Sequence, residues 1–437
     1  MTARILYLPA LLWICFTEPG AAITLEKVQQ NTLEKNPAIV QAKLNLEQIT
    51  GQRLVLRSIV LPQARVDVPS GIQGKRPDED AKLFTLAAGW LAQPLFHAAI
   101  PATLRRADVN ILIAQQQLNV AVTEQLHAAR LAFYGALYNR GMTSLRQEQR
   151  QRLAENAASQ EERYRAGLTD RGVFASATMQ TRELDSRIQG SHRAYADAQL
   201  KLAEAMGYAV VAGTTLPEPE GELNFAPTNN DLVSETKRAL ENRADLKLAR
   251  LLLRASDEDQ RIIEADYYPA IAGSVAGYYV PVSGIHREGA TRRTDDFLSS
   301  EVREGAAYTW RVIDNGKVLG AVRKQRATRE INELVCRKLE SSVSRDLERI
   351  HENLMALQAR QALLASASTA AEESRRAVEQ NLASGLVSQL EYRVTQNSYL
   401  ETKSGLLGAA YQYNVTKAEW DRATGRYFQF SDQGKRE

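Results

Sequence analysis

The chain repeats itself. Leu33, Leu44 and Pro62 return 207 positions later as Leu240, Leu251 and Pro269, with Ala244 standing where the first copy has Pro37. Further along the offset becomes 218: Gly167-Leu168 returns as Gly385-Leu386, Gly190 as Gly408, Tyr195 as Tyr413 and Gly207 as Gly425. A duplication of this size makes each half one large structural unit, so an element read in one half predicts its counterpart in the other. The expected plan is a leader over 1–22, a first repeat over 23–208, a linker over 209–230, a second repeat over 231–427 and a tail over 428–437.

The leader has the pattern of an export signal. Arg4 supplies positive charge, Ile5 to Phe16 is an apolar run too short to span a bilayer as a helix, and Gly20-Ala21-Ala22 offers small residues for cleavage. Cys15 is lost with it, which leaves Cys336 alone and no disulfide within the chain. A lipid-anchored alternative would modify Cys15, but bulky Trp13 and Ile14 precede it. The aromatic share of 7% and mean hydropathy of -0.36 are low for two or three compact cores, and point to a thin interior. With 55 basic and 52 acidic residues in no long block of one sign, the charges read as solvated helix faces, and a nucleic-acid partner is not expected.

Each half carries elements in the same order: a shorter helix, two extended segments, a very long helix, a tight turn and a second shorter helix. The opening helices run from Thr24 to Ser58 and between Asp231 and Asp266, with Thr24 as N-cap. From Ala98 to Ala166 the only proline is Pro101, near the start where a helix tolerates it, and none lies between Gly316 and Ser384. At ~1.5 Å per residue each stretch makes a rod of roughly 100 Å. Leu104, Ala107, Ile111, Ala114, Leu118 and Ala121, and likewise Val343, Leu347, Ile350, Leu354 and Leu357, follow the alternating steps of a coiled-coil seam. After the rods, Gly167-Leu168-Thr169-Asp170 and Gly385-Leu386-Val387-Ser388 read as hairpin tips. In each, the glycine takes the left-handed C-cap, and Thr169 or Ser388 caps the returning helix, to Met206 or Thr424.

The extended segments are Pro62–Ser70 with Leu83–Phe96, and Pro269–Val282 with Glu301–Ile313. Ala64, Val66 and Val68 alternate with Gln63, Arg65 and Asp67; Phe84, Leu86, Ala88 and Trp90 share a second apolar face, and Tyr308 and Trp310 lie on the last strand. Strands of this length suit a bilayer-crossing barrel, and they equally suit a surface hairpin. If they enter lipid, four strands cannot close a barrel, so the chain must oligomerise. Gly71–Ala81 and Ser283–Ser300 read as aqueous loops, and Pro217, Pro219 and Pro227 mark the linker between the halves.

Laid out this way, Thr24 to Tyr427 resembles the TolC-like outer-membrane efflux family. The likeness is carried by the run from Asn381 through Gly385-Leu386-Val387-Ser388 to Glu391 and on to Gly425, by Asn36-Pro37 and Tyr268-Pro269, and by Trp310 with Asp314-Asn315-Gly316. The resemblance implies a mainly α fold with a small β part: long antiparallel coiled-coil helices in two repeats, each with a β-hairpin. Three copies would form a 12-stranded β-barrel in the outer membrane and an α-helical tunnel in the periplasm. It further implies a passive exit duct that works with a periplasmic adaptor (membrane fusion) protein and an inner-membrane transporter. The tips at Gly167, Leu168, Thr169 and Asp170 and at Gly385, Leu386, Val387 and Ser388 would meet the adaptor and close the tunnel at rest. This chain departs from the pattern in its first tip, with Gly172 where Leu390 stands in the second, and in Arg311 within the last strand.

No catalytic constellation accompanies this plan. His97, His127, His192, His286 and His351 are scattered without a Cys pair to help them bind metal, nothing forms a nucleophile elbow or phosphate loop, and no cofactor is expected. Asp257, Glu258 and Asp259 form an acidic cluster that reads as solvated surface, or as an ion-biasing ring if it lies at a constriction. The alternative to a duct is a periplasmic coiled-coil structural or adaptor protein, although the compact β-rich module of such adaptors is not visible.

Overall fold

A computed structural model describes residues 22–73, 82–85, 87–209, 215–228, 231–282 and 297–430. The expected leader, apart from Ala22, lies outside them, as do His286 and most of both aqueous loops. In chain order the elements are β1 (Ala22–Ile23), α1 (Leu25–Lys35), α2 (Pro37–Arg57), β2 (Gln63–Asp67), β3 (Ser70–Gln73), β4 (Lys82–Thr85) and β5 (Ala87–His97). There follow α3 (Ala99–Arg165), α4 (Arg171–Ala205), β6 (Glu218–Pro219), α5 (Leu232–Asn242) and α6 (Ala244–Glu264). The chain ends with β7 (Ala270–Val282), β8 (Phe297–Thr309), α7 (Lys317–Ala383) and α8 (Gln389–Ala423). The chain is mainly helical with a small β part, and equivalent helices have equal lengths: 11 residues in α1 and α5, 21 in α2 and α6, 67 in α3 and α7, 35 in α4 and α8.

The opening helices are not continuous, contrary to the expectation from sequence. In the first repeat Pro37 lacks an N–H and holds Asn36 extended (ψ 124°), which separates α1 from α2. In the second, Arg243 is extended in the same way (ψ 126°) although Ala244 replaces the proline. Close packing accompanies that break. A Cβ on Gly425, at the end of α8, would lie 3.1 Å from the Asn242 carbonyl carbon.

The described residues divide into two compact units. One comprises Met1–Gln41, Asn119–Arg243 and Ser342–Gln429. Its core gathers Val28, Ala129, Phe133, Leu137, Leu202, Met206 and Ala418. The seam positions Val343, Leu347, Ile350 and Leu354 are buried as expected, while Leu357 is half-buried. The linker is strapped onto this unit by donors aimed at its carbonyls: Gln199 to Pro217 (3.1 Å), Asn414 to Asn224 (3.0 Å) and the Tyr413 hydroxyl to Ala226 (2.9 Å). The β1–β6 pair ties its proline-rich stretch to the start of the chain.

The other unit comprises Ala42–Leu118, Ala244–Ser341 and Phe430–Glu437. Val109, Ile113 and Ala255 anchor its helical packing. The acidic cluster belongs here, and only its middle member, Glu258, is withdrawn from solvent. Arg105 and Arg261 both bind Glu258 (3.0 and 2.8 Å), Arg106 binds Asp259 (2.7 Å) and Arg329 binds Asp257, with Glu258 only 5% exposed. Four arginines from three helices hold the carboxylates, so the cluster cross-links those helices.

Candidate functional site

Two features bear on function, one in each unit. The first is the pair of hairpin tips. Gly167 and Gly385 take positive φ (71° and 72°), the conformation that lets a helix stop and turn back without a Cβ clash. Each closes its helix by the same two bonds: Leu168 N to Arg163 O and Gly167 N to Tyr164 O, then Leu386 N to Asn381 O and Gly385 N to Leu382 O. The returning helices are capped by Asp170, which accepts from Gly172 N at 2.9 Å, and by Ser388, which accepts from Glu391 N at 3.2 Å. Thr169 is therefore not the cap, because α4 begins one residue later than a Thr169 cap requires. Leu168 and Leu386 follow the glycines and stand 71% and 78% exposed, so neither folds back onto its own helix. Thr169 and Val387 are half-buried.

The tips differ in what holds them. Tyr164 stacks on Phe174 across the first turn, with ring centroids 5.8 Å apart. The second tip is tied to α3 by reciprocal Asn156–Gln389 amide bonds of 3.1 Å each. It is also held by an apolar cluster in which Tyr392 meets Leu153, Leu184 and Ile188. Further along α8, Tyr399 has Arg152, Arg375 and Lys403 within 5.7 Å of its ring centroid. That arrangement was not legible in the sequence, since its members come from three helices. Burial raises the Tyr392 phenol, and the Arg376 guanidinium beside Glu372 lowers its carboxyl.

The second feature is a four-stranded antiparallel sheet in the order β2-β5-β7-β8. The two expected hairpins are joined through β5 and β7, and a short β3–β4 ribbon follows β2. Strands β2 and β8 each pair on one side only among the described residues. One face carries Val66, Leu91, Ile271, Val275, Val302 and Tyr308, with Gln93 and Glu304 among them, and the other Gln63, Arg65, Asp67, Ser274 and Arg303. Trp90 pairs with Arg65 and so lies on the polar face, although periodicity alone had set it on an apolar one. The last strand ends at Thr309. Trp310 and Arg311 therefore lie beyond it, with the Trp310 indole donating to Tyr267 O at 3.2 Å.

Among the described residues no helix is long and apolar enough to cross a membrane, and no cluster of metal-ligating groups occurs. The described histidines have packing partners. His97 accepts from Ala99 N (3.1 Å), His192 meets Gln147 (3.3 Å) and His351 lies beside Trp420. His127 meets the Tyr427 hydroxyl (3.2 Å), and burial lowers its pKa.

No curated protein matches the sequence at a significant level. Residues 236–426 match the sequence model of the family described as outer membrane efflux protein. The fold is similar to CmeC, an outer membrane channel of Campylobacter jejuni (TM-score 0.78, 12% identity, 99% of this chain and 95% of that one). It is similar also to the outer membrane protein VceC of Vibrio cholerae (TM-score 0.75, 16% identity, 92% and 96%). A third likeness is to the open state of the MtrE outer membrane channel of Neisseria gonorrhoeae (TM-score 0.74, 16% identity, 92% and 88%). Residues 236–426 are thus similar to the outer membrane efflux proteins, and the chain as a whole shares the fold of these solved outer membrane structures.

Proposed function

We propose that this chain is the outer-membrane channel of a multipartite efflux or secretion system, a passive exit duct from periplasm to exterior. The open sheet is the observation that carries this reading. Its unpaired edges cannot sit in lipid, yet one face is apolar enough to meet it. Strand β8 runs opposite to β2, so β8 of one copy set beside β2 of the next continues the antiparallel alternation. Three copies of four strands then close a barrel of twelve, a size at which a water path opens inside. The chain lies in the outer membrane and extends into the periplasm.

The tip residues Gly167, Leu168, Thr169 and Asp170 with Gly385, Leu386, Val387 and Ser388 dock the periplasmic adaptor and form the gate, and the adaptor links the duct to an inner-membrane transporter. The exposed Leu168 and Leu386 support that role, since a leucine held in water at a rigid turn gains about 2 kcal/mol on being covered by a partner. Energy comes from the transporter, so the duct needs no catalytic group.

The test is assembly and conductance. Full-length protein extracted in detergent should run as a trimer, and cysteines placed on β2 and β8 should cross-link between copies. In planar bilayers the trimer should conduct. Recovery as a soluble monomer, without inter-copy cross-links, would favour a periplasmic coiled-coil protein instead.

A further inference from the structure

Residues paired across neighbouring strands share a face, so the register sorts the sheet into transverse lines. One line on the polar face holds Arg65, Trp90, Ala276 and Arg303, one residue from each strand. The next line on that face, about 7 Å away, holds Asp67 and Ala88 and the register positions of Tyr278 and Glu301. On the other side lie the uncharged Gln63, Ala92, Ser274 and Gly305. The opposite face presents Val66, Gly89, Gly277 and Val302, then Ala64, Leu91, Val275 and Glu304. Charge is thus sorted by line, and an Arg65–Asp67 ion pair of 2.8 Å joins the basic line to the acidic one.

We propose that the polar face lines the pore and that its charges, Arg65 and Arg303 against Asp67, set the sign preference for small ions. The inference rests on the channel reading above. In three copies the wall carries six guanidiniums, three from Arg65 and three from Arg303, spread in height by the tilt of the strands. The Asp67 carboxylates oppose these charges, so neutralising one sign moves the balance of the wall toward the other.

Reversal potentials of the full-length protein in planar bilayers under a potassium chloride gradient test this. Six charges facing a pore axis about 10 Å away change the relative entry of anions and cations on the order of tenfold at ~0.1 M salt, and much less at ~1 M. The double variant Arg65→Gln, Arg303→Gln should shift preference toward potassium by about that factor, and Asp67→Asn should shift it toward chloride. Glu304→Gln, one residue from Arg303 but on the opposite face, should leave the ratio unchanged. Arg303→Gln alone keeps the test available if the double variant fails to insert, with about half the shift in free-energy terms. Unchanged ratios in the polar-face variants, or a Glu304→Gln shift as large as that of the arginines, would overturn the proposal. A wild-type chain that never conducts would instead sink the channel reading itself.

Discussion

Replacing Gly207 by alanine tests how the end of α4 is seated against the break between α1 and α2. The added Cβ would lie 2.4 Å from Lys35 O and 2.8 Å from Asn36 Cα, closer than real Cβ atoms come, and both are backbone atoms. That backbone cannot retreat freely. Asn36 N donates to Thr32 O (3.1 Å), and its side-chain amide donates to Ala205 O (2.9 Å) and Gln125 (3.1 Å). The left-handed conformation itself (φ 82°) costs an L-residue about 1–2 kcal/mol. Overpacking adds about 1–3 kcal/mol, and each sacrificed hydrogen bond about 1 kcal/mol. The expected loss is about 3–5 kcal/mol. Gly167→Ala is the matched control, because Gly167 has nearly the same φ (71°) but nothing within 4 Å of its added Cβ. It should lose only the conformational cost of about 1–2 kcal/mol. Urea unfolding of the detergent-solubilised protein, followed by far-ultraviolet circular dichroism, measures both. Equal losses in the two variants would refute the close-approach argument.

Three further outcomes are expected. Asp170→Ala should weaken the start of α4 by about 1 kcal/mol and speed proteolytic nicking at the first tip, whereas Thr169→Ala should leave nicking unchanged, since Asp170 supplies the cap. Burial pushes the Tyr427 phenol up to about 12, above its unfolded value of about 10, so its contribution is intact below pH ~10 and is lost as pH rises toward ~12. Tyr427→Phe should flatten the unfolding midpoint over that alkaline window. Glu258→Gln removes a carboxylate that serves two arginines, but Arg105 and Arg261 stay half-exposed and rehydrate, so thermal unfolding should report a loss of about 2 kcal/mol rather than the larger penalty of a fully buried pair.

Features fixed by local backbone chemistry were readable in the sequence. Gly167 and Gly385 sit where a helix must stop, and the long stretches before them, with no proline after Pro101 in the first and none in the second, became α3 and α7. What distant partners decide was not. Asp257, Glu258 and Asp259 read as solvated because their neighbours in sequence are polar, yet Arg105, Arg106 and Arg329 come from α3 and α7. Trp90 was assigned by alternation within its own strand, whereas its face is set by pairing with Arg65. The Arg243 break has no local signal, since Ala244 favours helix and Gly425, which packs closely against it, is distant in sequence. The Tyr399 arrangement escaped for the same reason.

The two tips share a turn but not a mode of attachment, and the difference bears on how a gate of this kind opens. The Tyr164–Phe174 stack lies wholly within the first hairpin, so parting the two hairpins leaves it intact. Displacing the second tip from α3 breaks both Asn156–Gln389 bonds and uncovers Tyr392, which is 3% exposed and packs on Leu153, Leu184 and Ile188. Two amide bonds at about 1 kcal/mol each and a buried tyrosine at about 2 kcal/mol set a barrier of about 4 kcal/mol per chain. Three chains moving together face about three times that. On the channel reading, the contact between the two hairpins therefore supplies the resistance that keeps the duct shut, and an adaptor must cover surface such as Leu386 to offset it.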